Sequence, residues 1–287
     1  MQDEIVARLA NALAAQVVGA EARQAERSSS PGATDLFFRA QAYMNRGFTA
    51  ENVGNARDLF EQALALDGDD VSALTGLASA NLVIATTFIP DNRAALFDAV
   101  ERALARVLSL APDSAIAHFL LGILYSATDR ATQGIREFER ALELEPNLAR
   151  AHGQIGMAKI ALGRPKEAEA HILEALRLSP RDTVAHLWCG HAGLAKLIVG
   201  DLKAAEAWLR RAIETNPNDP TAHFYLSCTL VYMNRLPEAR STAAAGLAIN
   251  PGYSLARVRA GSSASANFKA LADRYIDALR AAGVPEQ

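Results

Sequence analysis

Apolar positions fall at helical intervals almost throughout this chain. Ile5, Leu9, Leu13 and Val17 make one stripe at four-residue spacing and predict a helix over 3–27. Ser28-Ser29-Ser30-Pro31-Gly32 stops that helix, and residues 28–34 read as a linker. From Asp35 onward helices are expected in pairs. The clearest pair places helix A over 115–127 and helix B over 131–144, with Asp129-Arg130 turning the chain between them. Pro146 ends the pair because it cannot continue a helix. Leu121, Tyr125 and Phe138 fill the space between A and B, while the small Gly122 and Ala141 let the two backbones approach.

The pair recurs. Gly122, Tyr125, Phe138, Ala141 and Pro146 are echoed by Gly156, Ala168, Ile172, Ala175 and Pro180, then by Leu209, Ala212 and Pro217, then by Ala239, Gly246 and Pro251. Pro or Gly closes a repeat at 68, 112, 146, 180, 217 and 251, so successive spacings are 44, 34, 34, 37 and 34. Six repeats fit, over 35–70, 71–114, 115–148, 149–182, 183–219 and 220–252, with enlarged turns near 48–53 and 85–92. In the fifth repeat Gly190 and Ala212 are expected to take the close-approach roles. Helices near 253–259 and 266–282 are expected to cap the open end, making 253–287 a capping segment. No single pair buries its apolar face alone, so the predicted class is all-α, a right-handed α-solenoid of antiparallel helix pairs.

The order of a bulky residue, Leu-Gly, Tyr, then Ala, Phe, Ala and Pro resembles the tetratricopeptide repeat. Residues 115–182 match it closely and 183–251 with more substitutions. Residues 35–70 match through Ala56, Phe60 and Ala63, with Gly68 where Pro is usual, and 71–114 are the most degenerate, with Val107 in a small-residue slot. The opening Met1-Gln-Asp-Glu-Ile-Val-Ala-Arg-Leu-Ala, the Ala175-Leu-Arg-Leu-Ser-Pro segment and the ending Ala282-Gly-Val-Pro-Glu are similar to the C-terminal half of two kinds of bacterial multidomain protein. These are class III adenylate or guanylate cyclases and winged-helix regulators with tetratricopeptide repeats. That resemblance implies a regulatory or docking module, with the first helix closing an upstream α/β domain and Met1 an internal start. It covers the family's non-catalytic part, so no cyclase activity is carried over.

Composition narrows the partners. Lys and Arg number 29 against 32 Asp and Glu, a net charge of −3 that offers no footprint for a phosphate backbone. A helical-repeat RNA reader is the alternative this balance disfavours. Two cysteines, Cys189 and Cys228, exclude a disulfide framework and fit a reducing compartment. No uninterrupted apolar run reaches the ~18 residues of a membrane span, and Asp3 and Glu4 stand where a secretory signal carries Lys or Arg. The expectation is a cytoplasmic protein without nucleic-acid or membrane partners.

Candidate chemistry is sparse. His118, His152, His186 and His223 are read as one ladder on successive A helices, too far apart to share a metal. His171 is expected on a solvated B face, and both cysteines as small buried thiols. No phosphate loop, His-Glu-x-x-His or Gly-x-Ser-x-Gly elbow is present. The expectation is a non-enzymatic interaction scaffold with no catalytic residue, cofactor or metal. In the repeat family the concave groove is lined by positions two, five, nine and twelve of each A helix. Those positions nominate Phe37, Phe119, Ile123, Met157, Leu187, His191, Phe224 and Cys228. Arg150 is the one Lys or Arg at such positions in the last four repeats, too few for a carboxylate clamp. An apolar groove of this kind is expected to receive a protein or peptide segment with apolar anchors, a helix of the same chain, or a second copy.

Overall fold

The structure, a computed structural model, describes residues 18–22, 32–88, 90–261 and 266–287, and their side chains except at 260, 261 and 266–271. Residues 18–22 are helical; the remainder of the helix expected over 3–27 lies outside the described residues. The chain divides into two compact units, one ending at Leu148 and the other beginning at Ala149.

The first unit contains α1 (Ala33–Asn45), α2 (Ala50–Leu66), α3 (Val71–Val83), α4 (Arg93–Leu110), α5 (Ala115–Ala127) and α6 (Ala131–Leu144). The second contains α7 (Ala149–Ala161), α8 (Pro165–Leu178), α9 (Ala185–Val199), α10 (Leu202–Thr215), α11 (Pro220–Tyr232), α12 (Leu236–Ile249), α13 (Leu255–Gly261) and α14 (Ala266–Ala281). No strand occurs among the described residues, and helices α1 to α12 pack as six consecutive antiparallel pairs. The fold is all-α and of the solenoid class.

Local chemistry starts the helices. Thr49, Asp70, Ser114, Asp201 and Asp219 each place a side-chain oxygen on backbone N–H groups of the following turn, satisfying donors that the helix leaves orphaned. Pro165 and Pro220 open α8 and α11, where a missing N–H costs nothing. Among the described residues, five of the six A–B turns place one residue in the left-handed region. Gly47, Asp129, Gly163, Gly200 and Asn234 supply it, with φ of 115°, 57°, 75°, 85° and 60°.

That turn residue measures the repeat and corrects the register expected for the fifth. Asp129, Gly163, Gly200 and Asn234 are spaced 34, 37 and 34 apart, so the three extra residues precede Gly200. Two of them lie in the loop 179–184, six residues against four in its counterparts 145–148 and 216–219, and the third extends the start of α9. The fifth repeat therefore begins three residues later than the sequence reading placed it. The glycine contacts agree. A Cβ on Gly122 would meet Phe138 at 2.4 Å, one on Gly156 would meet Ile172 at 2.6 Å, and one on Gly193 would meet Leu209 at 2.5 Å. Gly190, the expected fifth-repeat equivalent, has nothing within 4 Å. Gly193 is the close-approach residue, and Cys189 rather than His186 is the counterpart of His118, His152 and His223.

One segment passes a membrane-span test by length and composition. Val71–Phe88, α3 with the π-helical turn Ile84–Phe88, covers 18 residues at a mean hydropathy of 1.5. Polar residues interrupt it, and its Ala73, Leu74, Ala78, Ala80, Leu82 and Ala85 are buried within the protein. Each A helix is apolar on more than the side facing its own B helix. The B helices are more sharply two-faced and carry ion pairs along their outer sides, among them Arg57–Glu61, Arg177–Glu174 and Arg210–Glu206.

A candidate inner-face pocket in the second unit

The nominated groove residues separate into two groups. Phe119, Phe224 and Cys228 are 7%, 0% and 0% exposed, which corrects the expectation that they are open to a partner. Phe119 tilts against Phe138 with ring centroids 5.8 Å apart. Phe224 stacks on Tyr253 at 3.8 Å, and Cys228 Sγ lies 3.8 Å from the Tyr275 carbonyl oxygen. In the second unit the cover is therefore the chain's own C-terminal segment. Phe37 is half-buried against Phe60 and Phe38. Ile123, Met157 and His191 are half-buried, and Leu187 is exposed. Ile116, at position two like the re-registered Leu187, is 45% exposed.

The corrected register gathers the rest. Met157 and Ile160 hold positions nine and twelve of the fourth repeat, and Leu194 and Leu197 hold the same positions of the fifth. All four line one pocket of about 330 Å³. Tyr225 and Tyr232 of α11 add aromatic walls. The far side comes from the C-terminal segment: Tyr253, Val258, Ala272 and Tyr275. Arg257 and Arg274, also lining the pocket, are exposed and lie at its rim. Neither arginine stands at a groove position of an A helix, where repeat spacing would point to it; they come from α13 and α14.

Several bonds hold the far wall in place. Tyr232 Oη donates to the Arg274 carbonyl oxygen at 2.7 Å, and the Arg274 guanidinium carbon sits 5.6 Å from the Tyr232 ring centroid. Tyr253 and Tyr275 share a hydrogen bond of 3.2 Å between their hydroxyls. The chain end is fastened to α13: Leu255 and Ala256 N–H groups donate to the Pro285 and Glu286 carbonyl oxygens at 2.9 and 3.0 Å. The Glu286 carboxylate accepts from Arg280 and Arg259, which hold it below the usual carboxylate range.

Electrostatics leave the pocket with positive charge and neutral phenols. Burial pushes Tyr253 up to about 12 and raises Tyr225 and Tyr275 further. Neither Arg257 nor Arg274 has an ion-pair partner among the described residues, whereas Arg150 is engaged by Asp182 at 3.1 Å. The positive charge of the inner side is thus tied down at Arg150 and unpaired at the pocket rim.

The histidines form no common site, and no cluster of three or more His, Cys, Asp or Glu able to hold a metal occurs among the described residues. His118 Nδ1 meets Glu137 at 2.7 Å and His223 Nδ1 meets the Asp219 carbonyl oxygen at 3.1 Å. His171, expected in solvent, instead pairs with His152 across α7 and α8, Nδ1 to Nδ1 at 3.2 Å. Burial, then Lys159 and His152, hold His171 down to about 4. Burial likewise holds His191 down to about 4, and its Nδ1 is enclosed without a hydrogen-bond partner. Both cysteines are buried, and burial raises both thiols above their ordinary range. That is the opposite of an activated nucleophile.

Comparison with known proteins agrees with this geometry. Residues 91–149 and 154–220 match the family model described as tetratricopeptide repeat, so those stretches carry such repeats. Among solved structures, a chain of the APC/C hetero-tetramer Cut9–Hcn1 is similar at a TM-score of 0.73 and 14% identity, over 94% of this chain and 46% of that one. A thermophilic tetratricopeptide-repeat protein of Thermus thermophilus gives 0.55 at 21% identity, over 70% of this chain and 100% of that one. The human IFIT1 dimer with m7Gppp-AAAA gives 0.64 at 16% identity, over 80% and 55%. At these identities the likeness is one of fold. The chain spans about half the length of the Cut9–Hcn1 chain it matches. No curated protein matches it in sequence. Proteins built on such repeats generally act as scaffolds for protein interactions.

Proposed function

We propose that this chain is a non-catalytic scaffold that docks an apolar segment of another protein on the inner faces of its A helices. One observation carries the reading: position two holds an exposed large aliphatic residue in both units, Ile116 at 45% and Leu187 at 37%. Isolated exposed aliphatics are ordinary. These two hold the same position of their repeats, one in each unit, and Ile123 in the first unit and Met157 in the second are half-buried. A rigid helical face lowers the ordering cost of a docking segment, and a few apolar anchors dominate such contacts. The resemblance at the two ends of the chain supports a narrower setting, the docking module of a bacterial signalling protein acting in the cytoplasm.

A photocrosslinking amino acid placed at Ile116 or Leu187, with Glu143 on an outer face as control, tests the docking face. Protein adducts formed from the two inner positions, absent from the control and competed by excess unlabelled chain, are expected. Equal labelling from the control position defeats the proposal. Adducts that vanish on ribonuclease treatment would favour the RNA reading instead.

A further inference from the structure

The pocket of the second unit is more specific than a docking face requires. Its walls are apolar or aromatic, its volume is about 330 Å³, and at its rim stand two guanidinium groups without an ion-pair partner among the described residues. That volume falls at the lower end of small-molecule sites, ~300–1,000 Å³. At the ~30 Å³ that a water occupies in the liquid, it accommodates roughly ten to twelve heavy atoms. We propose that it binds a small apolar carboxylic acid, with the acyl or aryl portion among Met157, Ile160, Leu194 and Leu197 and the carboxylate at Arg257 and Arg274.

The chemistry discriminates among ligands. An apolar body is favoured by release of water from the walls. A cation is disfavoured at a mouth whose lining holds two guanidinium groups and no carboxylate. A neutral alcohol gains the wall contacts but offers the guanidinium forks one uncharged acceptor in place of a bidentate carboxylate. The phenols add no opposing charge, because burial keeps all three protonated. The Tyr225 hydroxyl has no hydrogen-bond partner within the protein among the described residues, and the Tyr253–Tyr275 pair shares one bond between two hydroxyls. Donors therefore remain for a ligand oxygen. Arg150 cannot substitute for the rim pair, since Asp182 already occupies its guanidinium.

Isothermal titration of the purified chain at pH 7.5 with decanoate and with decanol tests the assignment without any protein partner, so its outcome is independent of the docking proposal. Saturable one-to-one binding of decanoate, at least tenfold tighter than decanol, is expected. The double substitution Arg257→Gln/Arg274→Gln, at two exposed positions, should bring decanoate to the affinity of decanol and leave decanol unchanged. Leu197→Trp, filling the pocket from a half-buried position, should abolish both. Circular dichroism of each variant confirms the fold. Decanoate binding no better than decanol, binding unaffected by the double substitution, or no saturable binding up to millimolar ligand would each overturn the assignment.

Discussion

Replacing Gly122 by alanine puts one methyl group where α5 and α6 are closest. The new Cβ would lie 2.4, 2.5 and 2.8 Å from Cε1, Cδ1 and Cζ of Phe138, against 3.4–4 Å for ordinary contact. The ring must retreat by about 1 Å, yet Phe138 is wholly buried and already tilted on Phe119. Overpacking of this kind costs ~1–3 kcal/mol. Alanine's better helix propensity returns up to about 1 kcal/mol, leaving a net loss of about 1–2 kcal/mol. With a urea m-value of ~1–3 kcal/mol/M, the unfolding midpoint falls by roughly 0.3–2 M, read by circular dichroism. The background reverses the sign. Phe138→Ala alone should cost ~3–5 kcal/mol, and adding Gly122→Ala to it should recover part of that loss, because the methyl then enters a void. The fifth repeat supplies a second contrast: Gly193→Ala should destabilise against Leu209, whereas Gly190→Ala, with open space around it, should stabilise by up to about 1 kcal/mol. A Gly122→Ala midpoint at or above wild type would refute the packing argument. A Gly190→Ala loss exceeding that of Gly193→Ala would restore the register first expected from sequence.

Other consequences are equally direct. Phe224→Ala should cost ~3–5 kcal/mol and loosen the C-terminal helices, because its ring is fully buried and stacked on Tyr253; a near-neutral midpoint would show the ring to be free. His171 is held down to about 4 in the fold against ~6.5 unfolded, so the unfolded chain binds the extra proton between those values. Stability should therefore fall as pH drops from 6.5 towards 4, and His171→Asn should flatten that slope in urea titrations at stepped pH. Cys189 and Cys228 should resist a thiol reagent in the native chain and react after denaturation; rapid native labelling would contradict their burial. Arg150→Ala should change stability by less than about 1 kcal/mol, since its pair with Asp182 is half open to solvent, and a larger loss in urea unfolding would contradict this.

Helix pairs were readable because proline and the small-residue spacing are backbone signals, independent of what lies far away in sequence. Register in the fifth repeat was harder. Three residues entered at the loop before α9 and its first turn, and both Gly190 and Gly193 offered a small residue to the pattern; only the contact with Leu209 separates them. The same shift misplaced His186 in the ladder. The pocket was half visible, through Met157 in the nominated set, while Arg257 and Arg274 come from a segment outside the repeat period. Nothing in the spacing of α13 and α14 states which face they cover. Burial of Phe224 and Cys228 follows from that long-range docking, which no local pattern encodes.

The left-handed residue at the compact A–B turns also says where this architecture can change length. In the last four hairpins Asp129, Gly163, Gly200 and Asn234 close the bend in two or three residues, and the fifth repeat takes most of its added length between hairpins, in 179–184. The second repeat takes its length at the bend instead, through the π-helical turn Ile84–Phe88 ahead of α4. Inserted sequence should accordingly be tolerated at the joints, and rejected at a bend that a left-handed residue closes. For engineering, the joints at 145–148 and 216–219 are the sites for an epitope or a reporter. For lineage, they are the seams along which whole hairpins can be copied, lost or exchanged without rewriting the turns.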